Sequence, residues 1–190
     1  DPFSLVVIDV GIFTHELMAL EPGVEVYVRG PYGIPVNPSD GSKIMAVSGG
    51  TGLAAVYQIA RDFDNAEIFT GARSGERLYF LEECKKIADV HVATDDGSEG
   101  YQGFVTELLR DRLQEMPRDE LDNLVFYNCG PAPMVHAAIA VQQEFCRDDQ
   151  IFSAIDYLTK CGIGLCGACA TPDGRRLCVD GPFIEASCSR

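Results

Sequence analysis

Four cysteines stand close together near the end of the chain, and their spacing indicates a metal centre. They are Cys161, Cys166, Cys169 and Cys178, in the pattern C-x4-C-x2-C-x8-C. The first two spacings are those of a loop that wraps around one [2Fe-2S] cluster and binds it through thiolates. A zinc site with four thiolates is the alternative, but such sites usually contain two C-x2-C pairs. The motif therefore predicts a [2Fe-2S] cluster on these four cysteines.

Glycines fill the cysteine run and suit the same chemistry. A short loop must curl around the cluster, and residues without a Cβ atom let the backbone approach while its N–H groups point at sulfur. Gly162, Gly164 and Gly167 occupy such positions. Hydrogen bonds of this kind tune the reduction potential of a cluster. A further thiol, Cys188, is predicted to be a tail residue without a role rather than a fifth ligand.

An earlier glycine loop has the composition of a phosphate-binding turn. Gly49, Gly50, Thr51 and Gly52 follow an apolar strand and precede a helix. Backbone N–H groups in such a loop, together with the start of the helix, can hold a pyrophosphate. The loop lacks the full G-x-G-x-x-G pattern, so a tight turn without a ligand is an equal alternative on this motif alone.

A second loop favours a dinucleotide site. The segment YNCGPAPMVHA at 127–137 ends a strand and begins a helix. In a parallel sheet its loop, Cys129-Gly130-Pro131, would lie beside the first glycine loop at the carboxyl edge, where ligands bind in such folds. Cys129 lacks the electropositive surroundings of a reactive thiol, so it is predicted to be a wall of the nicotinamide pocket rather than a nucleophile.

A third segment, TDDGS at 94–98, adds polar side chains at the end of another strand. Asp95 and Asp96 offer acceptors for a ribose or an amide. A plain polar turn closed by Gly97 is the competing interpretation.

The order of apolar segments predicts the scaffold that brings these loops together. From residue 43 onward, strands and helices alternate, which is typical of a parallel sheet with helices on both faces, the doubly wound class. Before it, residues 3–10 and 23–33 are predicted as strands, with a short helix between them capped by Thr14. The predicted fold is α/β in three segments: a partial β-barrel at 1–40, a nucleotide-binding domain at 41–146 and a small cluster module at 147–190.

Composition narrows the class of protein. The chain has 190 residues, of which 46% are hydrophobic, and this is typical of an ordinary globular protein. Its formal net charge of −14 argues against a nucleic-acid surface, which needs clustered Lys and Arg. No apolar run approaches the roughly 20 residues of a membrane-spanning helix, and the start has no signal-peptide pattern. A cytoplasmic protein that binds neither nucleic acid nor membrane is expected.

Taken together, the motifs resemble those of the dihydroorotate dehydrogenase electron transfer subunit, a family within the ferredoxin reductase superfamily. The shared motifs are G-x-x-T at 11–14, RGPYG at 29–33, VSGGTGLA at 47–54, GARS at 71–74, TDDGS at 94–98, NCGP-x-x-M at 128–134, and CGIGLCGAC with C-VDGP at the end. Members of this family bind FAD between a β-barrel and the nucleotide domain, carry a [2Fe-2S] cluster at the C-terminus, and pair with a catalytic subunit that holds FMN.

The resemblance also assigns residues to cofactors. It implies that Gly11, Phe13 and Thr14 lie near the FAD pyrophosphate, and that the four clustered cysteines bind the [2Fe-2S] cluster. It assigns to NAD(H) the residues Gly49, Gly50, Thr51, Gly52, Cys129, Gly130, Pro131 and Met134. Arg73 either contacts the adenosine end or is a surface arginine. An Arg-Pro-x-Ser type segment, which cradles the flavin ring in the family, is missing from this sequence, so the chain is a fragment or processed form, or its barrel is completed elsewhere.

The function implied is electron transfer between NAD(H) and the FMN of a catalytic partner, through FAD and the cluster, in dihydroorotate oxidation for pyrimidine biosynthesis. No side chain is expected to act as a general acid or base. A hetero-oligomer with that partner is expected. Two alternatives stay open: the small subunit of a transhydrogenase or sulfhydrogenase, and a non-enzymatic module that senses redox state. The sequence does not decide between NAD and NADP.

Overall fold

The computed structural model describes residues 4–155 and 158–186, so Phe3 and Cys188 lie outside the described residues. The chain divides into two compact units, Asp1–Pro31 and Tyr32–Arg190.

The first unit contains a short helix, α1, at Ile12–Met18. The predicted helix is therefore confirmed, but Thr14 is not its cap. Thr14 lies inside the first turn, and its hydroxyl oxygen accepts hydrogen bonds from the N–H groups of Val10 and Gly11 at 3.0 and 3.1 Å. The helix thus begins two residues before Thr14.

The two strands predicted at 3–10 and 23–33 are wrong for the residues that the structure describes. Residues 4–10 and 23–33 have no strand assigned. A strand requires a neighbour that takes up its backbone N–H and C=O groups in a ladder. No described residue forms such a ladder with either segment, so the β-branched, apolar residues of the first and the alternation of the second do not by themselves make strands.

The second unit is built on one seven-stranded sheet. The strands are β1 Lys43–Gly49, β2 Ala66–Ala72, β3 Asp89–Thr94, β4 Tyr101–Gln102, β5 Leu124–Cys129, β6 Ile151–Ala154 and β7 Ile184–Glu185. Their order across the sheet is β4-β3-β2-β1-β5-β6-β7. All neighbours are parallel except β6 and β7. The chain first winds outward from β1 to β4 and then restarts on the other side of β1, which confirms the predicted doubly wound class.

Helices cover both faces of this sheet. They are α2 Leu53–Asp62, α3 Leu81–Cys84, α4 Val105–Glu115, α5 Arg118–Asp122, α6 Ala132–Gln142 and α7 Leu177–Asp180. Leu53 and Val56 of α2 pack with Ala46 on one face, whereas α4 and α6 pack with Val47 and Phe126 on the other. Because β1 is buried on both faces, its sequence is a continuous apolar run instead of an alternating one. Among the described helices, none has the length and apolar character needed to cross a membrane.

The segment that carries the clustered cysteines leaves the sheet and returns to it. After β6, residues 158–176 contain little regular structure, and α7 is a single turn that leads to β7. Both β6 and β7 are strands of the same sheet as β1. The domain division at 40/41 and 146/147 stays a prediction.

Candidate dinucleotide cleft and cluster loop

The two glycine-containing loops meet at the switch point of the sheet. Ser48 at the end of β1 is in register with Cys129 at the end of β5, so the loops that follow start side by side. Residues Gly50–Gly52 form one 3-10 turn that leads directly into α2. The strand-to-helix geometry expected of a phosphate-binding turn is therefore present at the place where doubly wound folds bind ligands.

The two loops approach so closely that side chains are excluded between them. A Cβ atom on Gly52 would lie 2.1 Å from the Cys129 carbonyl oxygen. A Cβ atom on Gly130 would lie 2.8 Å from the Gly49 nitrogen. Gly50 differs, because its Cβ position is open and its φ of +55° is the reason for glycine. Gly52 and Gly130 thus allow the two loops to pack against each other.

A cleft of about 740 Å³ opens next to these loops. This volume is in the range of pockets that hold ligands of cofactor size. Five of the residues predicted for the nucleotide site line the cleft: Gly49, Gly50, Asp95, Pro131 and Met134. The other five predicted for it, Thr51, Gly52, Asp96, Cys129 and Gly130, do not line this cleft.

Three further residues line the cleft with chemistry that suits a dinucleotide. Arg73, which the resemblance assigned to the adenosine end, lies in the wall together with Arg77. A guanidinium group recognises phosphate through its planar set of donors. Phe104 also lines the cleft and is 66% exposed, so its ring offers a stacking face. Arg77 and Phe104 were not predicted from the sequence. The available signal for Arg77 was that it is a second arginine soon after β2 in an acidic chain.

Asp95 and Asp96 have different surroundings. Asp95 faces the cleft. The Asp96 carboxylate instead accepts hydrogen bonds from the Ser98 N–H, at 3.0 Å, and from the Ser98 hydroxyl, and these bonds hold its pKa below the ordinary value. Gly97, with a φ of +71°, closes the turn. The geometry of Asp96 is therefore that of the polar turn considered from sequence.

The residues assigned to FAD lie in the first unit. The Thr14 hydroxyl oxygen accepts hydrogen bonds from two backbone N–H groups at the start of α1, and the Phe13 side chain is 75% exposed. Gly11 directly precedes α1 and has an extended backbone.

The loop around the clustered cysteines has the backbone that its glycines predicted. Gly162, Gly164 and Gly167 have φ angles of +73°, +76° and +72°, in the left-handed region that favours glycine. The Cys166 N–H donates to Cys161 Sγ at 3.4 Å, and the Gly164 N–H donates to Cys178 Sγ at 3.3 Å. Backbone donors thus point at sulfur, as a cluster loop requires.

These donors favour thiolates. The N–H groups of Ile163, Cys166 and Leu165 lower the pKa of the Cys161 thiol to about 6. The backbone N–H of Cys178 lowers the pKa of Cys169, whereas burial raises the pKa of Cys178. The thiolate is the form of cysteine that binds metals, so these donors favour metal binding at Cys161 and Cys169.

The four thiols are arranged as two pairs. Cys161 interacts with Cys166, and Cys169 interacts with Cys178. No three His, Cys, Asp or Glu side chains of the described residues converge on one point where a single metal ion could sit. In a [2Fe-2S] cluster each of the two irons is bound by two of the four thiolates, so two pairs fit it.

Comparison with known proteins agrees with this geometry. Residues 46–139 match the family described as an oxidoreductase NAD-binding domain, and residues 158–188 match the iron-sulfur cluster binding domain of dihydroorotate dehydrogenase B. The chain is 37% identical over 186 residues to a probable dihydroorotate dehydrogenase B (NAD(+)) electron transfer subunit of Methanocaldococcus jannaschii, covering 95% of this chain and 69% of that protein. It is 40% identical over 195 residues to the protein of the same description in Thermococcus kodakarensis, covering 97% and 78%.

Solved structures share the fold of this chain. An NADH-dependent reduced ferredoxin-NADP oxidoreductase superposes with a TM-score of 0.82 at 30% identity, over 97% of this chain and 67% of that one. The cytochrome b5 reductase domain of Ulva prolifera nitrate reductase shares the fold, with a TM-score of 0.61 at 21% identity over 75% of this chain and 65% of that one.

Fold and site therefore define a ferredoxin-reductase-like oxidoreductase with an NAD-binding domain and a C-terminal iron-sulfur region. Within that class, the chain belongs to the family of dihydroorotate dehydrogenase B electron transfer subunits. The family resemblance drawn from the sequence motifs is confirmed.

Proposed function

We propose that this protein transfers electrons between NAD(H) and the FMN of a catalytic dihydroorotate dehydrogenase subunit, by way of FAD and a [2Fe-2S] cluster. One observation carries the proposal: a single compact unit contains both a dinucleotide-sized cleft at the switch point and a loop whose backbone N–H groups point at the cysteine sulfurs. The names of the curated relatives support this function over a transhydrogenase, a sulfhydrogenase or a redox-sensing module.

In the cleft, the role of the protein is to bind and orient the dinucleotide. The turn of Gly49 and Gly50 presents backbone to the pyrophosphate, and Arg73 and Arg77 add positive charge for its phosphates. Phe104 provides a face for a base. When bound, the flavin and the cluster supply the conversion between hydride transfer and single-electron transfer. We assign NAD(H), because the relatives are named for NAD(+).

At the cluster loop, the role of the protein is to hold four thiolates and to meet a partner. Ile163 and Leu165, between the cysteines, are 66% and 80% exposed. Exposed apolar side chains beside the cluster cysteines support docking of the catalytic subunit here, since electrons cross only short gaps. The partner is proposed to be the FMN-containing subunit, in a hetero-oligomer that serves pyrimidine biosynthesis.

The FAD assignment extends to the first unit. Gly11, Phe13 and Thr14 are proposed to contact the FAD pyrophosphate near the start of α1. Apolar side chains of this unit, including Ile12 and Tyr27, are largely exposed, which suits a surface that a cofactor or partner covers. A cytoplasmic location is part of the proposal, because cluster ligands must stay reduced and the cytosol keeps thiols in that state.

The experiment is an absorption spectrum of the chain, reconstituted without oxygen with iron, sulfide and FAD, before and after addition of NADH. Both flavin and cluster bands are expected, and both should bleach with NADH. Protein prepared without added FAD is the control, and it should show cluster bands alone. Absence of both chromophores would overturn the function, and cluster bands alone in the FAD sample would favour the redox-sensing module.

A second measurement identifies the partner. The complex is purified from the native source and the mass of its second subunit is determined. A dihydroorotate dehydrogenase catalytic subunit is expected, and a transhydrogenase or sulfhydrogenase large subunit would contradict the proposed role.

A further inference from the structure

Arg176 holds the cluster loop at the residue whose N–H points at a cluster thiol. Its Nη1 donates a hydrogen bond to the Gly164 carbonyl oxygen at 2.9 Å. The Gly164 N–H donates to Cys178 Sγ at 3.3 Å. Gly164 is therefore bound on both sides, by a thiol through its nitrogen and by a guanidinium through its oxygen.

Arg176 is itself fixed in place. Its backbone N–H donates to the Asp180 carboxylate at 2.7 Å, and its Nε lies 3.7 Å from the same oxygen. Its backbone also forms an isolated antiparallel bridge with Ala170, next to Cys169. The guanidinium is thus held by the segment that carries two of the cysteines.

The fit between Arg176 and the loop is close. A Cβ atom on residue 164 would lie 3.0 Å from Arg176 Nη1 and 2.8 Å from Val179 Cγ2. Glycine at 164 therefore leaves room for this approach, and it also suits the left-handed backbone there.

This geometry has a redox consequence. Reduction adds one negative charge to the cluster and its thiolates, and hydrogen bonds to sulfur and nearby charge set the potential. A guanidinium on the Gly164 carbonyl oxygen fixes the residue whose N–H donates to Cys178 Sγ, and it polarises the next peptide, whose Leu165 N–H interacts with Cys161. It also brings positive charge near the thiolates, which favours the reduced form.

We propose that Arg176 is a positioning residue that raises the reduction potential of the cluster, by holding Gly164 in the place where its N–H donates to Cys178. The inference rests on the proposed function, since it requires a [2Fe-2S] cluster on these cysteines. It adds to that function a residue outside the ligand set that tunes the electron transfer.

The neighbouring arginine provides a matched control. Arg175 Nε lies 3.5 Å from Asp173 Oδ2, and its side chain is 43% exposed, the same as that of Arg176. Arg175→Gln and Arg176→Gln therefore remove the same charge at adjacent, equally exposed positions. They differ in that Arg176 donates to the loop.

The test is a redox titration of the cluster, followed by electron paramagnetic resonance, in the full chain reconstituted without oxygen. Iron and sulfide contents are measured first on every sample. We expect Arg176→Gln to lower the one-electron equilibrium constant for reduction about tenfold, a shift of about 59 mV to more negative potential. Arg175→Gln should leave the potential near that of the wild type. Arg176→Lys, which keeps the charge but not the planar donor set, should fall between them.

Equal potentials in Arg176→Gln and Arg175→Gln would overturn the role of Arg176. If Arg176→Gln fails to retain its cluster, Arg176→Lys and Arg175→Lys are compared instead, and a more negative potential only in Arg176→Lys supports the proposal, whereas equal values overturn it. A wild-type chain without iron and sulfide would overturn the proposed function itself, which is a distinct result.

Discussion

The dinucleotide cleft and the cluster loop both depend on glycine, but for different physical reasons. In the cleft, Gly52 lies where any side chain would collide with the backbone of the next loop, at the edge of a buried sheet. In the cluster loop, Gly167 has open space at its Cβ position and is required for its φ of +72°. The first site is shaped by the packing of strands, whereas the second is shaped by local backbone geometry and a few bonds to sulfur.

This difference implies that the two sites respond differently to loss of their ligands. The cleft is lined by the ends of β1 and β2 and by the starts of α4 and α6, which are part of the core, so it is expected to exist without NAD(H). The cluster loop has little regular structure, and metal sites of this kind gain much of their order from the metal. A substitution in one site is therefore expected to leave the function of the other site unchanged.

The largest separation is expected from Cys166→Ser. Loss of one thiolate should prevent cluster assembly and abolish electron delivery to the partner, because a hydroxyl is a poor iron ligand. NADH-to-dye activity through the flavin should survive. Iron analysis and the two activities are measured side by side, with Cys146→Ser, outside the cysteine run, as the control. Loss of both activities would show that the sites are not independent.

A large effect on stability is expected from Gly52→Ala. The new methyl group would meet the Cys129 carbonyl oxygen at 2.1 Å, so a backbone shift is unavoidable. Overpacking of this kind costs about 3 kcal/mol of unfolding free energy. Urea unfolding of the chain measures the loss, and NADH affinity should fall with it. Stability equal to the wild type would contradict the interlocked loops.

Gly50→Leu should act on binding more than on folding. A Cβ atom at position 50 would meet no other atom within 4 Å, but the rest of the leucine side chain would enter the cleft that Gly50 lines. NADH affinity should fall about tenfold, equal to about 1.4 kcal/mol, with unchanged iron content. Gly41→Leu is the matched control, since Gly41 also has a positive φ and open space but does not line the cleft. An unchanged affinity for NADH in Gly50→Leu would remove this turn from the site.

The smallest effect is expected from Gly167→Ala. The side chain meets nothing, so the cost is the left-handed backbone alone, about 1 kcal/mol. Gly174→Ala, with a φ of +89° and equally open space, should cost a similar amount. Chemical unfolding and iron content are compared for the two variants. Loss of the cluster in Gly167→Ala alone would mean that this glycine approaches the cluster directly.

Local patterns predicted the second unit well and the first unit poorly. The strands β1, β2, β3 and β5 are short segments rich in apolar residues and followed by turns or helices, so their type could be predicted along the chain. The segments at 3–10 and 23–33 have similar apolar content, but a strand also needs a partner, and partners are set by distant residues. Alternation alone could not supply that information.

Site residues that belong to one short motif could be predicted from the sequence. Site residues that only the folded chain brings together could not. The cysteine spacing identified the cluster loop because all four residues lie within one short segment. Arg77 and Phe104 enter the cleft from separate loops, and Arg176 reaches Gly164 across twelve positions of sequence. Such contacts depend on the path of the folded backbone and have no signature in local sequence.

The most direct test is the iron and acid-labile sulfide content of the chain prepared without oxygen. Two irons and two sulfides per chain are expected, held by Cys161, Cys166, Cys169 and Cys178. Zinc in their place, or iron without sulfide, would contradict it.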